Sequence, residues 1–301
     1  MERSMAESGP PSVSLLLALA LGLLPGMGLA IEPPPLVFET PPHFAPLARR
    51  LQSLNPHAVR AAMDLVGLQD SGPPIPVILA PEESEPARRT ASWVAGYTII
   101  PAGRIVLFPD RQVSYPHGSF EGLLLHELTH VFVLRVTGAH RAPRWFEEGL
   151  AMVAAQERTL DDQLWGYWIG LTAAPIPLQA LDRLFGEDPP AVDKAYLLAE
   201  ALVRYLIASQ GPDAPRRILE ERAHGVAFAE AVQRATGQRL PHLEREFWAQ
   251  HTSWGRWVPV VTSTAVLWAV IVLLVWIAWH KQRQRAALVQ RQWEEDEERE
   301  P

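Results

Sequence analysis

The 301-residue chain predicts an α+β architecture: a small N-terminal sheet, then mostly helices, then one C-terminal membrane-spanning helix. Three observations lead there. Short β-type apolar runs are confined to residues before 110. Helical spacing of apolar residues dominates from Ser119 onward. Residues 258–279 contain no charged side chain. Strands first and helices after is the pattern of one α+β domain.

In chain order, Arg3 precedes an apolar run at 13–24, and Gly28 and Ala30 are small residues placed as at a signal-peptidase site. Residues 1–30 are therefore expected to be a signal peptide, with an uncleaved anchor as the alternative. Prolines 33–35, 41 and 42 make 31–46 an extended lead-in. Leu47, Leu51, Leu54, Val59, Met63 and Leu65 carry helical spacing over 45–67. Residues 76–79 read as a buried strand. Residues 92–96 and 104–108 read as two more, joined at Pro101-Ala102-Gly103. Helices are expected at 120–136, 144–157, 177–185, 192–209, 214–221, 227–236 and 240–250, with Gly211, Gly225 and Gly237 as punctuation. The principal domain is thus 47–250.

The expected transmembrane helix covers 257–280. Its 22 uncharged residues would extend about 33 Å, against a hydrocarbon core of roughly 30 Å. Trp254 and Trp257 stand at one end and Trp276 and Trp279 at the other, as interfacial belts do. Lys281, Arg283 and Arg285 follow at once, which predicts a cytoplasmic C-terminus and an exported domain. The tail, 281–301, begins basic and ends acidic.

With 27 basic and 34 acidic residues the formal charge is −7, and no basic stripe is present, which argues against nucleic acid as a partner. Cysteine is absent, so any metal must be held by nitrogen and oxygen.

The chemistry is expected in the first long helix, at His126-Glu127-Leu128-Thr129-His130. Histidines four apart share one helix face, so both imidazoles can reach one ion. Glu127 stands beside them and can hold a water without being a ligand. Leu123, Leu124, Leu125, Val131, Phe132 and Val133 make the helix apolar on nearly all sides, and a buried histidine pair wants a partner. A catalytic zinc site needs a third protein ligand. Glu148, in Trp145-Phe146-Glu147-Glu148-Gly149-Leu150-Ala151, shares an apolar helix face with Trp145, Met152 and Ala155. Glu147 falls on another face, where it orients a ligand or is solvated; it is the alternative third ligand. Gly149 is expected to let this helix approach the first one closely.

These two segments resemble the gluzincin metallopeptidases, and most nearly the bacterial peptidase MA-like families, whose HELTH helix is followed by a PRWFxEGLA run. Seventeen residues lie between His130 and Glu148. The resemblance extends over roughly 37–248. It implies a zincin-like metalloprotease fold with Zn2+ as cofactor, His126, His130 and Glu148 as its ligands, and Glu127 as general base. It also implies that the strand at 104–108 receives extended substrate by edge addition, and that Tyr196 holds the oxyanion. Relatives often have a small hydroxyl residue three positions after that tyrosine, where this chain has Ala199. His224 and His242 are substitutes for Tyr196, and His117 and His140 read as surface residues.

The expected function is a membrane-anchored zinc metallopeptidase, single-pass in a bacterial inner membrane. Its extracytoplasmic domain would hydrolyse protein or peptide substrates. The absence of the familiar glycine-rich exopeptidase motif upstream of His126 favours an endopeptidase. The alternatives are a catalytically silent zincin-fold binding or scaffold module, against which Glu127 argues, and an intramembrane protease. Against the second, Glu121, Glu127 and Arg135 interrupt the apolar run around His126. The segment between Gln156 and Lys194 is expected to border the cleft.

Overall fold

Val77, Leu79, Ile105 and Leu107 are almost wholly buried, and the two strands that carry them form the middle of a four-stranded sheet. The structure is a computed structural model, and it describes residues 31–113, 117–155, 175–255, 266, 268–277, 279–281 and 283. Strands β1 (Leu36–Glu39), β2 (Ile75–Leu79), β3 (Gly96–Ile99) and β4 (Arg104–Leu107) lie in the order β1-β2-β4-β3. β1 and β4 flank β2 in parallel, and β3 pairs antiparallel with β4, with Thr98 opposite Ile105.

Ten α-helices accompany the sheet among the described residues up to 255: α1 (Ala45–Gln52), α2 (Pro56–Val66), α3 (Glu85–Arg88), α4 (Phe120–Thr137), α5 (Arg144–Ala155), α6 (Leu178–Leu184), α7 (Pro189–Gln210), α8 (Ala214–Ala223), α9 (Phe228–Thr236) and α10 (Leu240–Gly255). Helix α4 is apolar all round because it is packed all round: it touches α2, α5, α8 and β3. Its core is continuous with the inner sheet face through Leu124, Leu128 and Phe132. The outer face carries a smaller cluster of Ala80, Ala87, Val106 and Phe108.

Several expectations change. The periodic stretch 45–67 is two helices, because Pro56 begins a new one and Asn55 caps it, accepting from the His57 amide. Residues 36–39, read as lead-in, are a strand that gains its ladder from β2. The strand expected at 92–96 is displaced to Gly96–Ile99, since the carbonyls of Ala91 and Val94 are taken by the Arg111 guanidinium, each at 2.8 Å. The strand at 104–108 is not an edge: β4 is enclosed between β2 and β3, and the open edge beside the helices belongs to β3. Gly149 serves a different crossing from the one expected. A Cβ there would lie 2.4 Å from the Ala199 carbonyl and 2.6 Å from Val203 Cγ2, so it admits α7 rather than α4.

Among the described residues no helix is long and apolar enough to cross a membrane. The span expected at 257–280 lies largely outside the described residues, and the signal segment 1–30 lies wholly outside them. Within the span, 268–277 is helical, and Trp268, Val272, Leu273, Leu274, Val275 and Trp276 are exposed.

Candidate metal centre

Ser119 begins α4 by accepting a hydrogen bond from the Gly122 amide at 3.1 Å. One turn of that helix separates His126 from His130, and their Nε2 atoms face each other at 3.2 Å. Glu148 arrives from α5, its Oε2 3.3 Å from His126 Nε2 and 3.4 Å from His130 Nε2. Helix α5 is fixed at its start by Asp182 of α6, whose carboxylate accepts from the Trp145 amide at 2.7 Å.

The three atoms Nε2, Nε2 and Oε2 converge with little else to satisfy them. Glu148 Oε2 is buried and has no hydrogen-bond partner. Such an oxygen is costly unless a cation or donor completes it. Two imidazole nitrogens and one carboxylate oxygen within 4.8 Å of one another are a zinc-type donor set with room for a further position. The residues present therefore fit a zinc ion. Both Nδ1 atoms are buried without hydrogen-bond partners, so packing orients the rings. His117 lies edge-on to His126 at 4.5 Å between centroids, and His126 is edge-on to His130 at 4.9 Å.

The electrostatics show what these groups do to each other. Burial opposes a charged His130 ring, but the Glu148 carboxylate, with Glu127 and Glu147 beyond it, outweighs burial and raises its pKa to about 9. Burial likewise opposes an ionised Glu148, yet the two imidazoles hold its carboxyl well below the ordinary range. Burial, then the neighbouring His126 and His130, keep the His117 imidazole neutral to well below its usual pKa. Desolvation and the Glu148 and Glu127 charges push the Tyr196 hydroxyl well up, so it is a donor at neutral pH.

Glu127 is buried beside the triad, and its Oε2 accepts a 2.6 Å hydrogen bond from the Thr98 hydroxyl of β3. Tyr196 stands on the far side, its ring 6.1 Å from that of His126. A cleft of about 540 Å³ opens over these groups, walled by β3 on one side and by Tyr196, Phe185 and Asp193 on the other. The described part of the segment expected to border the cleft does so, through Phe185, Pro189, Val192 and Asp193; residues 156–174 lie outside the described residues.

Some residues fall elsewhere than expected. His117 is 8% exposed and lines the cleft rather than the surface, because the turn before α4 folds it against His126. His140 is at the surface, as read from the sequence, whereas His224 and His242, the substitutes for Tyr196, are also exposed, and none of the three lines the cleft. Glu147 lines the cleft but is neither solvated nor one of the three residues whose ligand atoms converge. It is 2% exposed, and Arg141 grips it through Nε at 2.8 Å and again through Nη2, while the Ala142 amide donates to it at 2.9 Å. Thr98, Arg144 and Arg111 escaped the sequence reading. A lone hydroxyl on an apolar strand and two arginines near the motifs were the only signals.

An α+β scaffold with two histidines from one helix and a glutamate from the next presents a candidate metal site consistent with a zincin-like domain. Residues 109–253 match the family model described as Peptidase MA superfamily. No curated protein matches the chain.

Proposed function

We propose that the chain is a membrane-anchored zinc metallopeptidase of the gluzincin type, cleaving within extracytoplasmic protein or peptide substrates. The observation that carries this reading is the convergence of His126 Nε2, His130 Nε2 and Glu148 Oε2 at 3.2–3.4 Å beneath an open cleft, with Glu127 beside them.

His126, His130 and Glu148 would hold the ion, which supplies Lewis acidity toward the scissile carbonyl and the attacking water. The rest is the work of the chain. Extended substrate adds to the open edge of β3 by backbone hydrogen bonds. Glu127 accepts the proton of the attacking water as oxygen bonds to the carbonyl carbon, and delivers a proton to the amine as the C–N bond breaks. Tyr196 donates to the oxygen on which negative charge develops. Walls of β3 and α7 limit bulk water around these groups.

Membrane anchoring is supported by the apolar helical residues 268–277, whose exposed side chains a bilayer would cover. The basic residues after Trp279 support a cytoplasmic C-terminus and a catalytic domain outside the inner membrane.

The test is zinc stoichiometry and peptide cleavage by the full chain, with Glu127→Gln as control. One zinc per chain, and cleavage that falls ~10²–10⁴-fold in the variant while zinc is retained, is the expected result. Stoichiometric zinc with no turnover on a broad peptide library would overturn it in favour of a binding module.

A further inference from the structure

The sheet register settles which backbone groups face the open edge of β3. The Phe108 amide donates to the Ala95 carbonyl at 2.8 Å, and the Ala80 amide donates to the Leu107 carbonyl at 2.9 Å. Backbone direction alternates along a strand, so Phe108 and Val106 turn toward β3 whereas Leu107 and Ile105 turn toward β2. Opposite them, Ala95, Tyr97 and Ile99 turn toward β4, which leaves the N–H and C=O of Gly96 and Thr98 directed to the edge.

Side chains alternate as well. Tyr97 and Ile99 join the outer cluster with Phe108, while a Cβ on Gly96 would meet Leu123 of α4 at 3.2 Å. Thr98 therefore points at α4, where its hydroxyl lies 2.6 Å from Glu127 Oε2 and 3.1 Å from the Glu127 carbonyl. A hydroxyl has one proton, and the shorter contact has the length of a charge-assisted bond to a carboxylate.

We infer that Thr98 is a positioning residue for the general base, tying the substrate-receiving edge to Glu127 within a single residue. Its backbone faces an incoming strand and its hydroxyl occupies Oε2, which leaves Oε1 of Glu127 to take the proton from water. Registration of a peptide on β3 and orientation of the base thereby share one rigid support. Valine fills the same volume but lacks the hydroxyl; serine keeps the hydroxyl but loses a methyl. This inference rests on the metallopeptidase reading above for its kinetic consequence, but its geometric consequence stands apart from that reading.

The experiment compares full-length wild type with Thr98→Val and Thr98→Ser, using zinc and a quenched fluorescent peptide drawn from a mixed-sequence library. Thr98→Val is expected to lower kcat about 10- to 100-fold, with KM changed less than about threefold and zinc affinity unchanged, while Thr98→Ser restores most of kcat. Crystal structures of the metal-free proteins supply the second readout: Glu127 keeps its carboxylate direction in wild type and Thr98→Ser and turns in Thr98→Val. An unchanged kcat in Thr98→Val, or failure of serine to restore it, overturns the inference. Should wild type bind zinc and cleave nothing, the hydrolase reading falls by itself. The orientation of Glu127 in Thr98→Val then decides: a turned carboxylate supports Thr98 as its support, and an unmoved one overturns it.

Discussion

Arg144 Nε lies 3.2 Å from Glu148 Oε1, one turn along α5, so the carboxylate is held from outside while its other oxygen faces the two histidines. The same guanidinium lies over the Phe185 ring at 4.8 Å. An oriented carboxylate loses less freedom when it coordinates an ion, and partners of metal ligands typically contribute 10- to 100-fold in affinity. Arg144→Ala should therefore weaken zinc binding by about tenfold or more, read by competition with a chromogenic chelator. Lysine at this position cannot reproduce the planar stacking and should restore only part of the loss.

Tyr196 stands where it can donate toward the cleft beside His126. Tyr196→Phe should leave zinc stoichiometry and melting temperature nearly unchanged while kcat falls by ~10²–10³, the range for loss of an oxyanion donor. The Ala199 that departs from the related pattern is wholly buried in the apolar core. An undiminished kcat in Tyr196→Phe would remove the tyrosine from the mechanism.

The α5–α7 crossing should be intolerant of even one methyl group. Gly149→Ala places a carbon 2.4 Å from a backbone oxygen, which cannot rotate away. A loss of about 2–3 kcal/mol in folding stability is expected from overpacking, measured by denaturant unfolding. Because α5 carries Glu148, zinc affinity should fall in the same variant. Stability equal to wild type would mean that the two helices separate freely.

Arg111 is 8% exposed and links five partners: both oxygens of Glu82, at 2.7 and 2.9 Å, and the carbonyls of Ala87, Ala91 and Val94. It thus holds the loop that leads into the cleft wall at Trp93 and Val94. The hydrogen bond from Arg111 leads the causes that hold the Glu82 carboxyl below its ordinary 4.5. The ionised form is therefore favoured by folding. Its contribution is fully present above the unfolded value and is lost as pH falls through the lower folded value. Thermal melts of wild type and Glu82→Gln should differ at pH 6–7 and converge as the solution is acidified below about pH 4. A gap that widens in acid would contradict the assignment.

Much of this was legible without tertiary structure. The two histidines share a face because four residues make about one helical turn, a property of a single helix and its sequence. The all-round apolar character of 120–137 announced a central, enclosed helix. Helix ends were readable where glycines and capping side chains stand at the boundary, as at Ser119 and Gly237, whereas the start of α7 at Pro189, capped by Asp188, lies three residues before the expected 192.

What a sequence cannot express is which element becomes whose neighbour. Alternating apolar residues made 104–108 a strand, but only the assembled sheet made it interior and left the edge to Gly96–Ile99. Helical periodicity put Glu148 on an apolar face, and only the packing of α5 beside α4 and α7 brought its Oε2 to the histidines and Arg144 to its Oε1. His117 and Thr98 entered the site the same way, through contacts that bridge separate elements. Local spacing is set by the covalent chain and one helix geometry. Contact between elements is set by burial, shape and the pairing of polar groups, which exist only once the chain has folded.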